Sequence, residues 1–123
     1  MDISTLVPKE TRPVKLRHPA TGKPIGLTVH LRPRESDEVK KAQRVMRDQF
    51  SDEAQSMDQD DFNELGREIL VAAIASWEWD DEGSFNGEQL KCTDENKRKV
   101  LSLDPIYKQL DREFGNYAAF FAA

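Results

Sequence analysis

The sequence predicts an α+β fold, mainly helical, with four to five helices around a buried central helix and an N-terminal antiparallel β-hairpin. Three observations carry that expectation. Residues 14–18 and 27–32 alternate apolar and polar side chains with period two, the mark of strands with one buried face. Several later segments repeat apolar residues at helical spacing. Between them, Phe62 to Trp79 grows from a Phe62/Leu65/Ile69/Ala72 stripe into an unbroken apolar run, Ile69 to Ala75. So short a run does not by periodicity tell a buried strand from a helix. Its alanines, and the helix-favouring Glu64, Arg67 and Glu68 ahead of it, argue for a helix over 60–77. A helix that is apolar all round is covered all round, which places this one at the centre.

Taken in order, residues 1–12 lack periodicity and read as a flexible N-terminal arm, ahead of a single domain over 13–123. The hairpin spans 14–32. Val14, Leu16 and His18 share one face of its first strand, and Leu27, Val29 and Leu31 share one face of its second. The loop between them is rich in Gly and Pro. Pro33 ends the strand, and Ser36, Asp37 and Glu38 open a helix over 36–50 by capping and by favouring its positive end. Val39, Ala42, Met46 and Phe50 form its apolar stripe, with Lys40, Lys41, Arg44 and Arg47 toward solvent. The acidic stretch 51–61 reads as a linker or a weak helical extension, in which Asp58 or Asp60 caps the central helix. After that helix, Trp77 and Trp79 share a face if the chain is extended there, where they would seal the core. Asp80 to Gly87 is a polar loop with Phe85 as an anchor. Thr93 caps a helix over 94–103. Asp104-Pro105 reads as an N-cap followed by a first helical proline, opening a helix over 105–114. Gly115 stops it in the left-handed conformation, and Asn116 caps a last turn over 116–122.

At 123 residues the chain suits one domain with a modest core. No apolar run approaches the ~18–20 residues of a membrane span. The N-terminal residues lack a basic segment followed by an apolar one, so no secretory signal is expected. A single cysteine, Cys92, fits a reducing compartment. The net charge of −5 is unevenly spread: residues 1–50 carry 11 Lys/Arg against 6 Asp/Glu, and residues 51–123 carry 7 against 17. Mutual compensation within the fold is the plainer account of that asymmetry.

Chemistry-bearing constellations are sparse. His18 and His30 fall on opposite strand faces. Cys92 follows Lys91, which favours a thiolate, but no base is assigned to it. The acids at 80–82 fail as a calcium loop, because neither register supplies both the central Gly and the final Glu. No phosphate-binding glycine loop is present. The four cations of the first helix have no interleaved aromatics and read as a solvated face rather than a phosphate site. No catalytic, cofactor-binding or metal-ligating residue is assigned, and an enzyme is not expected.

Two stretches resemble a known family. Leu16 to Arg44, LRHPATGKPIGLTVHLRPRESDEVKKAQR, is similar to the start of the tail assembly chaperones of long-tailed bacteriophages, in which such a His-Pro-Ala-Thr-Gly loop leads into a strand and a Ser/Asp-initiated helix. Leu70 to Phe121 resembles their C-terminal part. It runs in order through Trp77, Phe85, Glu95-Asn96, Val100-Leu101, Asp104-Pro105, Gln109 and Ala119 to Phe121. The resemblance implies a protein of the infected cell's cytoplasm, absent from the mature virion, that binds the tape-measure protein and brings tail-tube protein to it. It carries no catalytic residue or cofactor. The acidic insert at 51–61 and Thr93-Asp94 depart from the family pattern. Tyr117, Phe120 and Phe121 are the expected partner-binding residues, an apolar group on a terminal turn too short to be stable alone; the alternative is that these side chains dock on the chain's own core. No nucleic-acid or membrane partner is expected, and self-association stays open. The competing readings are a head–tail or tail-completion protein retained in the virion, a nucleic-acid-binding module using the basic half, and a thiol-dependent enzyme built on Cys92.

Overall fold

The structure is a computed structural model that describes residues 2–50 and 58–121, with Gln49 and Phe50 described by backbone alone. It has four α-helices and a three-stranded antiparallel sheet among those residues, an α+β fold. The strands are β1 (Arg12–Arg17), β2 (Pro24–Leu31) and β3 (Ile74–Trp79), in the order β1-β2-β3. The helices are α1 (Asp37–Phe50), α2 (Gln59–Ala73), α3 (Asp94–Leu101) and α4 (Asp104–Gly115). Short 3-10 turns lie at Ile3–Leu6 and Tyr117–Phe120.

Period-two patterning does set the sheet's inner face. Val14 pairs with Val29, and Val29 with Trp77, so one row of apolar side chains crosses all three strands. Val14, Leu16, Leu27, Val29, Leu31 and Ile74 are all buried. Helical residues Val39, Leu70, Leu101 and Leu110 join them in a single core. The β1 edge is blunted against pairing with another strand. Pro13 has no N–H to offer, and the Gln109 amide on α4 spans Arg17, accepting its N–H and donating to its carbonyl, each at 2.8 Å. Arg12 clamps the same helix, donating to the Glu113 carbonyl at 3.0 Å and its carboxylate at 2.9 Å.

The expected helix over 60–77 is two elements. It stops at Ala73, and Ile74 to Trp79 is a strand. Nor is α2 covered all round: only Leu70, Val71 and Ala73 are buried, and Phe62 is 52% exposed. The physical reason lies at its C-terminus, where a helix leaves four carbonyls without internal donors. Leu70 O accepts the Ile74 N–H. Val71 O accepts from Lys97 Nζ at 3.2 Å, and Ala72 O from Arg32 Nη1 at 2.8 Å. Ala73 O accepts the Arg32 backbone N–H at 2.7 Å. With every orphan carbonyl satisfied, three of them by groups distant in sequence, the chain enters the sheet at once. Ile74, Trp77 and Trp79 suit a pleated, half-buried surface.

Local signals fare better at helix starts. Asp58 and Asp61 form a reciprocal capping box on α2, Thr93 Oγ1 accepts the Asn96 N–H, and Ser36 Oγ accepts the Val39 N–H. The acidic segment's residues 51–57 lie outside the described residues, as does the Phe50 side chain. Asp104 is not a cap. Leu103 holds that position without a side-chain bond, and the Asp104 carboxylate accepts from Arg67 at 3.3 Å instead. Gly115 ends α4 outside the left-handed region, where among the described residues only Gly22, Gly26, Gly87 and Asn86 are found. The helix expected over 94–103 ends at Leu101 and that over 116–122 is the 3-10 turn, with no cap bond from the Asn116 side chain.

Candidate functional site

Two helices whose starts are fixed by these caps, α1 and α2, lie side by side and leave a groove of about 470 Å³ between them. Its apolar lining comes from Ala42, Val45 and Met46 of α1 and from Val71 and Ala72 at the end of α2. Val45 is 51% exposed, beside a half-buried Met46. The charged rim comes from Arg32, Glu38, Lys41, Glu68, Asp94 and Lys97. Much of that charge is already paired: Arg32 lies 3.8 Å from Glu38, and Arg98 holds Glu68 at two points, 2.9 and 3.1 Å. Exposed pairs like these add little stability, but they hold the rim side chains in place.

Two other hollows are less apolar. One, of about 370 Å³, opens on the outer sheet face between Lys15, Thr28 and Glu78. The other, of about 560 Å³, is bounded by Pro8 to Thr11 and by the β2–α1 loop, and is lined mainly by charged and polar residues.

The residues expected to bind a partner divide. Phe120 is 1% exposed and belongs to the core, so it leaves the candidate patch. Arg12 lies over its ring at 5.5 Å, and its carbonyl accepts the Lys9 N–H at 2.6 Å. Tyr117 is 39% exposed, packs edge-on against Phe121 at 5.0 Å and lies under the Arg34 guanidinium at 4.1 Å. The Glu35 carboxylate, first as a hydrogen-bond acceptor, pushes the Tyr117 hydroxyl above its ordinary pKa. Tyr117 and Phe121 therefore remain at the surface, outside the groove.

Trp77 and Trp79 do share a face, and both turn inward. Their indole N–H groups donate to one acceptor, the Leu90 carbonyl, at 2.8 and 2.9 Å. Thus the tryptophans hold the following loop on the sheet. That loop turns at Asn86-Gly87, where Phe85 and Glu88 exchange backbone hydrogen bonds and both central residues have positive φ. His30 Nε2 is 2.8 Å from Glu78 on the outer sheet face, whereas His18 Nδ1 accepts the Ala20 N–H in the β1–β2 loop. Burial raises the Cys92 thiol pKa in spite of Lys97 and Arg32 nearby. Among the described residues, no group of three or more His, Cys, Asp or Glu is placed to hold a metal ion. No described helix is long and apolar enough to cross a membrane.

No family model, curated protein or solved structure matches the chain. The groove joins Met46, already in the predicted stripe, to Val45, Val71 and Ala72, which sequence reasoning did not bring together. The available signal was Val45 beside Met46, which widens the α1 stripe beyond what burial on one side requires. A second signal was Lys97, which precedes Val100 and Leu101 at helical spacing and so sits on the inward face of α3.

Proposed function

We propose that the chain is a non-catalytic tail assembly chaperone of a long-tailed bacteriophage, which holds an apolar helical segment of the tape-measure protein in the α1–α2 groove. It would act in the host cytoplasm, deliver its client to tail-tube protein, and leave before the virion is complete. The groove carries this reading: an open apolar floor with a charged rim is the form that accepts an amphipathic helix reversibly. A long helical protein waiting to be enclosed exposes apolar stripes that need such cover. The sequence resemblance over Leu16 to Arg44 and Leu70 to Phe121 supports the tape-measure protein as that client.

Co-expression with the phage's tape-measure protein tests the proposal. The client is expected in the soluble fraction only when this chain is present. Val45→Glu places a charge on the groove's exposed wall, so its circular dichroism should match the wild type while client recovery is lost. Full recovery with Val45→Glu would remove the groove from the mechanism. Stoichiometric copies in purified virions would favour a retained structural component instead.

A further inference from the structure

We infer that the groove is matched to a helix carrying a carboxylate within its apolar stripe, and that Lys97 is the residue that recognises it. This rests on the groove being the client site, and it adds a specificity that an apolar groove alone does not have.

Lys97 is 8% exposed, the one buried charged residue among the described residues, and it lines the groove. An ammonium has three donors. One reaches Val71 O at 3.2 Å, and a second meets Asp94 Oδ1 at 3.5 Å, the outer limit of a hydrogen bond. The Asp94 side chain is 69% exposed, so it is a weak counter-charge. A buried cation left short of acceptors is costly, and a close carboxylate removes that cost. Capping α2 explains one donor, Asp94 takes a second weakly, and the third is left over.

The neighbouring charges do not supply the missing anion. Glu68 is held by Arg98, and Glu38 faces Arg32, whose guanidinium is also committed to Ala72 O and Ile74 O. Lys41, on the opposite rim, makes no ion pair among the described residues. A carboxylate seated on the floor would therefore meet two cations with donors to spare.

The test uses the full chain and two amphipathic peptides of about 20 residues, long enough to be helical. They share one apolar Leu/Ala stripe and differ at a central stripe position, Glu in one and Gln in the other. Fluorescence anisotropy should give at least tenfold tighter binding of the Glu peptide, or about 1.4 kcal/mol. In Lys97→Met the preference should vanish, while Val45→Glu should weaken both peptides. The peptide pair on the wild-type chain keeps the test valid if Lys97→Met does not fold. Equal binding of both peptides would overturn the inference and leave the groove reading standing. A Glu preference unchanged by Lys97→Met would overturn the role of Lys97. Failure of both peptides to bind would take down the groove reading as well.

Discussion

Replacing Arg32 should destabilise the fold out of proportion to its surface position. Its side chain is 26% exposed, yet it donates to Ala72 O at 2.8 Å and to Ile74 O at 3.3 Å across the junction between α2 and β3. A hydrogen bond from a charged donor contributes roughly 1.5–3 kcal/mol, and a cation at a partly buried helix C-terminus up to about 2 kcal/mol. Counting the short bond fully, the long one weakly and discounting for exposure, Arg32→Met should cost about 3 kcal/mol. That is a large share of the ~5–15 kcal/mol that holds a domain together. For a chain of this length it corresponds to a Tm lowered by roughly 10 °C. Arg32→Lys should lose about half as much: both carbonyls accept from the single nitrogen Nη1, so an ammonium can replace it in kind, but on a shorter side chain that reaches them less closely. Urea denaturation followed by circular dichroism would measure both, with the slope m unchanged if only the native junction is affected. A loss for Arg32→Met within ~0.5 kcal/mol of zero, the usual range for surface changes, would refute this account of why α2 ends where it does.

Two further outcomes follow from the backbone and from burial. A Cβ on Gly26 would lie 2.5 Å from Asp80 Oδ1 and 2.7 Å from the Gly83 nitrogen, at a φ of +88°, whereas Gly22 at +71° has nothing within 4 Å. Gly26→Ala should therefore cost about 3–5 kcal/mol, combining strain with overpacking, and Gly22→Ala about 1–2 kcal/mol from strain alone. Equal losses in urea would show that the close approach of Gly26 to Gly83 carries no weight. Burial raises the pKa of both Cys92 and Tyr107, whose ordinary values are 9.0 and 10.0. The folded state then keeps these protons to higher pH than the unfolded chain does. Their contribution is complete below the ordinary values and is lost as pH rises through the raised ones. The urea midpoint should fall on the alkaline side of 9.0, and Cys92→Ser should remove the earlier part of that fall.

Which features can be read from the sequence depends on how far apart the cooperating residues lie. The inner faces of β1 and β2 follow from alternation over a few residues, and the starts of α1, α2 and α3 from one capping side chain each. The turn at Asn86-Gly87 is equally local, since that dipeptide is itself a strong hairpin signal. The end of α2 is not local. The helix propensity of the alanines around Ile74 is outweighed once Arg32 and Lys97, 40 and 26 residues away, take up the Ala72 and Val71 carbonyls. Which of the three terminal aromatics docks on the core is not local either. A terminal aromatic shows no periodicity, and only the assembled β1 edge, with Arg12 over the ring, makes a place for Phe120. The groove needs both helices in position before Val45, Met46 and Ala72 become neighbours.

The groove and the helix-to-strand switch are one construction. If α2 had continued to residue 77, Val71 and Ala72 would be mid-helix and their carbonyls would be bonded internally, with no need of Arg32 or Lys97. Because it stops at Ala73, two cations are drawn to its end, and both also line the groove. Their charge lies at the negative pole of α2, so the same atoms that end the helix set the potential inside the groove. A methionine in place of Lys97 would fill similar volume but would leave Val71 O without its donor. Stability and recognition are therefore coupled at this point. A helix bound with its carboxylate on Lys97 should raise the unfolding midpoint in proportion to the logarithm of its concentration above Kd, and a Gln-bearing helix should do so only at correspondingly higher concentration.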